Sequence, residues 1–217
     1  MSAAPVVLFD LDGVLTRRDT YAAFVTRRIV RGPLRLLLAL PLVPLMLLPA
    51  TRRQAGGLLV RLSLVGLSVA RYRALAHAFG AGLAVTPRAV HADCVAAIHR
   101  HRADGARVVV VTACEESVAR ALLDGLGLAD VELVGSRLRR SGRRWEVAVH
   151  NLGDEKPRQL LARGIAPPWD AAYSDHVVDL PMLREARVAV LVNPSDAFAA
   201  RARRELPAEV RTVRWSA

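Results

Sequence analysis

The sequence predicts an α/β fold in which a doubly wound parallel sheet carries an inserted helical cap. Two observations predict it. Short apolar strand patterns alternate with helical patterns over most of the 217 residues, and a long basic, apolar stretch interrupts this alternation after the first strand. A chain of this length can form one α/β core and a small accessory domain. We therefore expect a core of residues 1–16 and 96–217 and a cap of residues 17–95.

Four apolar runs have the composition of buried parallel strands, and a polar residue follows each of them. The runs are 6–9, 107–111, 171–173 and 188–192. Helical patterns occupy 116–126, 156–163, 180–186 and 197–206, and residues 131–138 and 144–149 predict a hairpin appended to the core. Ligands bind at the carboxyl ends of parallel strands, so the polar residues after these runs are candidates for a functional site.

The predicted cap differs from the core in charge. Residues 17–95 contain 12 arginines and two acidic residues, a formal charge of +10, whereas the remaining 19 basic and 18 acidic residues leave +1. Such an excess suits an anionic lipid surface, an acidic substrate or nucleic acid. The aromatic content is only 5%, and no aromatic residue lies between the arginines of residues 27–53. We therefore expect no nucleic-acid partner.

Residues 36–51 contain no charged residue, and arginines flank them on both sides. A spanning helix needs about 20 residues, and this run has three prolines that would break a continuous helix. A single crossing would also place Asp10 and Asp175 on opposite sides of the bilayer. We predict a membrane-associating segment within residues 34–70, either re-entrant or interfacial; the alternative is the buried core of a helical cap.

Two carboxylates follow the first strand. Asp10 and Asp12 are separated by one residue, so an extended backbone points both side chains the same way, and Gly13 permits the turn that follows. Two more carboxylates, Asp175 and Asp179, follow the third strand. Converging carboxylates repel each other, and a hard cation with oxygen ligands, typically magnesium beside a phosphate, removes that conflict.

A hydroxyl and a single lysine complete the strand-end set. Thr112 follows the second strand, and Lys156 is the only lysine among 31 lysines and arginines. A chain with this bias has arginine at every position where arginine can perform the role of a lysine. We therefore expect Lys156 to act as a compact point charge on a buried phosphate or carboxylate.

The order and spacing of these motifs resemble those of the haloacid dehalogenase superfamily, which implies a Rossmann-like core. The four motifs are Asp10-Leu11-Asp12-Gly13-Val14, an apolar strand ending in Thr112, Lys156, and Ser174-Asp175-His176-Val177-Val178-Asp179-Leu180-Pro181-Met182-Leu183. One feature departs from the pattern. The fourth motif often begins Gly-Asp-Ser in related phosphatases, whereas in this chain it begins Ser174-Asp175-His176.

The resemblance implies a phosphatase that forms an aspartyl-phosphate. Asp10 would be the nucleophile, and Asp12 the general acid and base. Magnesium would be held by Asp10, the carbonyl of Asp12, and Asp175.

The resemblance also implies how the phosphate is held. The phosphoryl oxygens would bind at Thr112 and Ala113, Lys156 would neutralise their charge, and Asp179 would orient Lys156 and the metal shell.

The position of the cap resembles the phosphoserine-phosphatase-like branch of the superfamily. Its basic apolar run, with the segments 12–15 and Leu152-Gly153-Asp154-Glu155-Lys156, is similar to the C-type bacterial phosphatidylglycerophosphate phosphatases. This likeness implies hydrolysis of phosphatidylglycerophosphate to phosphatidylglycerol at the cytoplasmic face of the inner membrane. The alternatives are a cytoplasmic phosphatase for phosphoserine or a sugar phosphate, and a non-catalytic binding module, against which the presence of both Asp10 and Asp12 argues.

Overall fold

Seven strands form one sheet in the computed structural model, which describes residues 4–216. In chain order they are β1 (Val6–Phe9), β2 (Arg107–Glu115), β3 (Glu132–Ser141), β4 (Arg144–Val149), β5 (Trp169–Ser174), β6 (Ala186–Val192) and β7 (Glu209–Val213). Across the sheet the order is β4-β3-β2-β1-β5-β6-β7, and only the β3–β4 pair is antiparallel. The helices between the parallel strands confirm the predicted α/β fold.

The described part of the chain contains ten α-helices. They are α1 (Thr20–Val30), α2 (Pro33–Ala39), α3 (Val43–Leu47), α4 (Pro49–Leu64), α5 (Val69–Ala84), α6 (Ala92–Ala103), α7 (Glu116–Gly125), α8 (Glu155–Ala162), α9 (Leu180–Arg184) and α10 (Asp196–Glu205). Short 3-10 turns lie at Leu40–Leu42 and Val177–Asp179. Helices α1 to α5 are inserted between β1 and β2.

The first two strands form the centre of the sheet. β1 is apolar because both of its faces are covered, and Val7, Leu8 and Phe9 are at most 2% exposed. β2 extends beyond the predicted end at residue 111, and its pairing with β3 shifts register between Val111 and Glu115. Thr112 therefore lies within an irregular strand end and does not follow it.

Two parts of the sheet differ from the sequence prediction. The predicted hairpin is not simply appended to the core, because β3 first pairs in parallel with β2 and only then turns back against β4. β7 was not predicted: it is a short edge strand parallel to β6, in which Glu209, Arg211 and Thr212 are exposed. Such an edge strand lacks the continuous apolar run that identifies a central one.

The two ends of the insert run side by side. The Arg17 amide donates to the Ala89 carbonyl at 3.0 Å, and the His91 amide donates to the Leu15 carbonyl at 2.9 Å. The predicted cap boundary at residue 95 falls within α6, and α6 packs on β2. The place where the two ends of the insert pair, at residues 15–17 and 89–91, therefore lies several residues before that boundary. The division into two domains stays a prediction.

Helix α5 of the insert packs closely on α7 because small residues line the contact. A Cβ at Gly80 would lie 2.5 Å from the Val118 carbonyl oxygen and 2.8 Å from the Leu122 amide nitrogen. A Cβ at Gly125 would lie 2.7 Å from the Cβ of Ala84. This close approach of two backbones fixes α5 against the sheet-bound helix.

Helices α2 to α4 expose a leucine-rich surface. Leu34, Leu37 and Leu47 are 68%, 63% and 80% exposed. Each proline of this segment lies at the start of a helix, where its missing amide costs little, so the chain forms short helices instead of one long one. Among residues 4–216, no single helix has the length and apolar composition of a membrane span; only the pair Thr20–Val30 and Pro33–Leu47 does, with a bend of 115° between them.

Candidate active site

The predicted residues meet at the carboxyl ends of β1, β2 and β5. Asp10 directly follows β1, and its amide donates to the Tyr173 carbonyl at 3.0 Å, which ties it to β5. Asp175 follows the last residue of β5, and Asp179 ends the 3-10 turn after it. Lys156 reaches this edge from the first turn of α8. The parallel sheet thus brings together residues that are up to 169 positions apart in the sequence.

Lys156 bridges two of the carboxylates. Its Nζ lies 2.8 Å from Asp10 Oδ1 and 2.8 Å from each carboxylate oxygen of Asp179. Ser174 Oγ donates to Asp179 Oδ2 at 2.8 Å and so fixes the orientation of that carboxylate. Lys156 is 2% exposed. Burial opposes its charge, but the two carboxylates raise the pKa of Lys156 above its usual value, so it remains a cation.

The site contains more negative charge than Lys156 neutralises. Burial raises the pKa of Asp10 well above its ordinary value, against the opposing effect of Lys156. Burial also raises the pKa of Asp175, and it raises the pKa of Asp12 to about 6. Desolvated carboxylates of this kind favour an added cation.

Two threonines hold Asp12. Its Oδ1 accepts hydrogen bonds from the Thr20 amide at 2.8 Å and from Thr16 Oγ1 at 3.1 Å. These donors partly offset the effect of burial on the pKa of Asp12. Because Thr20 begins α1, the orientation of Asp12 depends on the start of the inserted helices.

Gly13 allows the turn that separates Asp10 from the insert. Its φ is +81°, a left-handed conformation that residues with a Cβ adopt at a cost. A Cβ at this position would overlap the Asp175 carboxylate, which lies directly against the Gly13 backbone. The turn is closed by the Gly13 amide, which donates to the Thr16 carbonyl at 2.7 Å.

The end of β2 supplies Thr112 and Ala113. Thr112 is fully buried, and its Oγ1 accepts a hydrogen bond from the Cys114 amide at 2.9 Å. Its carbonyl accepts from Asn151 Nδ2 at 3.1 Å, and the same amide group also donates to the Val134 carbonyl at 2.8 Å. Thr112 and Ala113 therefore lie at the same sheet edge as Asp10, on the neighbouring strand.

Sequence reasoning did not identify Asn151 and Glu115. Asn151 is fully buried and links the end of β2 to β3 through the Thr112 and Val134 carbonyls. Glu115 ends β2 and is 6% exposed. The motif spacing contains no signal for Asn151, whereas an acidic residue at the end of a buried strand is itself a signal that could have identified Glu115.

The donor set fits magnesium. Among residues 4–216, no three Asp, Glu, His or Cys side chains are grouped as a metal centre. The implied set needs only two carboxylates, Asp10 and Asp175, with the carbonyl of Asp12. Magnesium commonly binds proteins through one or two carboxylates and fills its other positions with water and phosphate oxygens. The excess of buried carboxylates over cations agrees with such a set.

Comparison with known proteins identifies the class of enzyme. Residues 7–184 match the sequence profile of the haloacid dehalogenase-like hydrolases. Protein CicA of Caulobacter vibrioides is 35% identical over 186 residues, which cover 82% of this chain and 81% of CicA. The chain therefore belongs to the haloacid dehalogenase-like hydrolase family, as its motifs predicted.

Solved structures agree with this fold. A Bordetella pertussis protein of unknown function has a TM-score of 0.61 at 19% identity, with 97% of this chain and 99% of that chain covered. A phosphoserine phosphatase, solved as a phospho-aspartyl intermediate analogue, has a TM-score of 0.60 at 15% identity, with 97% and 94% covered. Both alignments extend over almost the whole chain, so these structures share its fold.

Proposed function

We propose that the protein is a magnesium-dependent phosphomonoester hydrolase that dephosphorylates phosphatidylglycerophosphate. The observation that supports the hydrolase chemistry is the buried Asp10–Lys156–Asp179 group, which places one carboxylate at a strand end beside a fixed positive charge. Asp10 attacks phosphorus and takes the phosphoryl group, and the alkoxide leaves on the opposite side. Asp10, the Asp12 carbonyl and Asp175 would hold magnesium, which would neutralise charge on the phosphoryl oxygens.

Asp12 donates the proton that the leaving alkoxide needs and later removes a proton from the hydrolytic water. Its pKa of about 6 suits both proton transfers near neutral pH, because a group that titrates near the working pH can donate a proton and also accept one. Thr112, Ala113 and Lys156 hold the phosphoryl oxygens. Asp179, which contacts Lys156 and Ser174, keeps the lysine in position.

The test of this chemistry is phosphate release from a panel of phosphomonoesters in mixed micelles. The panel contains phosphatidylglycerophosphate, phosphatidic acid, phosphoserine and glycerol phosphate. We expect magnesium-dependent release with preference for phosphatidylglycerophosphate, and a loss of at least about 1000-fold in Asp10→Asn, since no covalent intermediate can form. Equal release by Asp10→Asn would reject the mechanism. No release from any compound would favour a non-catalytic binding module.

The surface of the insert supports a lipid substrate. Leucines of α2 and α3 face solvent over two consecutive short helices, and Arg31, Arg35, Arg52 and Arg53 flank them in the sequence. Exposed apolar surface bordered by basic residues suits the interface of an anionic membrane, where each arginine contributes about 1 kcal/mol. We therefore propose that the protein acts at the cytoplasmic face of the inner membrane. A soluble phosphatase for phosphoserine or a sugar phosphate is the alternative, and a phosphoserine phosphatase is among the similar solved structures.

Vesicle sedimentation separates these two functions. We expect the protein to sediment with phosphatidylglycerol vesicles and much less with phosphatidylcholine vesicles, because arginines contribute only on the anionic surface. The double variant Leu37→Asp, Leu47→Asp should reduce binding by more than about tenfold, since burying each leucine contributes about 1.5–3 kcal/mol. Val85→Asp, at a position 79% exposed beyond α5, is the control. Preference for phosphoserine and no sedimentation would favour the soluble alternative.

A further inference from the structure

A cavity of about 560 Å³ lies between α4 and the β3–β4 hairpin, beside the candidate active site. Two of its lining residues connect it with that site. Ala113 follows Thr112 in β2, and Tyr21 follows Thr20, whose amide binds Asp12. The group attached to a phosphate held at Thr112 and Asp10 would therefore extend into this cavity.

The end of the cavity near Ala113 is polar, and hydrogen bonds fix the position of its Glu115 side chain. Glu115 Oε2 accepts a hydrogen bond from Tyr72 Oη at 2.6 Å, and Oε1 accepts from Ser117 Oγ at 3.1 Å. The Tyr21 side chain also lines this end. A carboxylate beside a phenol hydroxyl can accept a hydrogen bond from a hydroxyl group of a ligand. Val60, Leu64, Leu138 and Val147 supply apolar lining, and Arg53, Arg61 and His150 supply basic lining.

Trp145 gives the cavity a fixed wall. Its indole Nε1 donates to the Leu67 carbonyl at 3.2 Å, and its ring centre lies 5.0 Å from that of Tyr72. The hairpin is thereby attached to the insert at one point.

Beyond Trp145 a second cavity of about 450 Å³ adjoins the first, with which it shares Arg61, Leu64, Trp145 and Glu146. Its lining is strongly basic because Arg143 and Arg144 join Arg61. Among residues 4–216 none of these three arginines has an acidic partner within ion-pair distance. The one acidic group in the lining, Glu146, is paired with Arg139 at 2.9 Å. The outer cavity therefore carries uncompensated positive charge.

We infer that the outer cavity binds a second anionic group of the substrate, so that the two cavities together select phosphomonoesters whose leaving group is a short hydroxylated linker joined to another phosphate or similar anion. This inference rests on the proposed function and specifies its substrate class. Arginine suits such a site because its planar fork binds phosphate oxygens in pairs. The apolar lining residues of the first cavity accommodate the carbon atoms of the linker.

Two water-soluble substrates test the inference without any contribution from lipid binding. One is glycerol 3-phosphate. The other is the deacylated headgroup in which glycerol joins the terminal phosphomonoester to a phosphodiester. We expect kcat/KM to be at least about tenfold higher for the second compound, a difference of about 1.4 kcal/mol in transition-state binding. The preference should shrink in Arg61→Gln and Arg144→Gln through a higher KM, while kcat/KM for glycerol 3-phosphate changes less than about twofold.

Arg73→Gln is the matched control, since Arg73 is an exposed arginine of α5 outside both cavities, and this variant should keep the preference. Equal kcat/KM for the two substrates in the unmodified protein, or equal losses on both substrates in the cavity variants, would overturn the inference and leave the phosphatase function standing. No hydrolysis of either compound or of p-nitrophenyl phosphate would reject the proposed function and the inference with it.

Discussion

Lys156→Arg is expected to lower kcat by at least about 100-fold although it keeps the positive charge. Lys156 Nζ fits between Asp10 and Asp179 with 2.8 Å contacts in a site where the side chain is 2% exposed. A guanidinium is larger and planar, so it must displace one of the carboxylates, and a displacement of about 1 Å at a reacting group can cost about 100-fold. Steady-state phosphate release at saturating magnesium measures the effect.

Removing the charge should also destabilise the protein. Lys156→Met leaves two buried carboxylates without their cation, and breaking a buried ion pair in this way costs about 3–5 kcal/mol. Urea unfolding at neutral pH in the presence of a chelator gives the free energy of unfolding. The reverse exchange Arg158→Lys serves as the control, since Arg158 lies on the same helix but its side chain is 75% exposed. It should change neither kcat nor the free energy of unfolding. If Lys156→Arg kept activity within about threefold, the role of Lys156 as a compact point charge would be wrong.

Gly13→Ala is the second substitution from which we expect a large effect. The new methyl group would overlap the Asp175 carboxylate, so Asp175 must move away from its position against the Gly13 backbone. We expect kcat/KM to fall by at least about 100-fold and the apparent affinity for magnesium to fall with it, because Asp175 is a proposed ligand. Magnesium titration of activity measures both changes.

Gly105→Ala separates displacement of Asp175 from backbone strain. Gly105 has nearly the same φ, +80°, but a Cβ there would meet no atom within 4 Å. It should cost about 1–2 kcal/mol of stability through the left-handed conformation alone and leave kcat/KM unchanged. A Gly13→Ala variant that behaved like Gly105→Ala in both stability and activity would show that the position of Asp175 does not depend on Gly13.

The alternation of apolar runs and helical patterns was sufficient to predict the parallel sheet. Each central strand is buried on both faces, so its run of apolar residues is visible in the sequence, as in β1. The edge strand β7 was missed because three of its five residues are polar and exposed, so it has no apolar run. The end of β2 was placed too early because its apolar run stops at Val111, where the pairing with β3 shifts register, although the strand continues to Glu115.

The contacts around the site could be predicted only in part. Strand-end placement brings Asp10, Thr112 and Asp175 to one edge from topology alone, whereas Lys156 reaches it from the first turn of α8. The hydrogen bonds of Asn151 to Thr112 and of Tyr72 to Glu115 join residues 39 and 43 positions apart on different elements. No local pattern specifies such a pair, because periodicity and composition describe neighbours along the chain and not across it.

The sequence by itself determined the sheet, its inserted helices, and the set of charged and polar residues at the strand ends. These depend on the local run of apolar residues and on the chain order. Only the tertiary structure decided that Lys156 contacts both Asp10 and Asp179, and that α4 and the β3–β4 hairpin enclose a cavity with a basic outer end. The walls of that cavity come from segments about 80 residues apart in the sequence, and only folding brings them within contact distance.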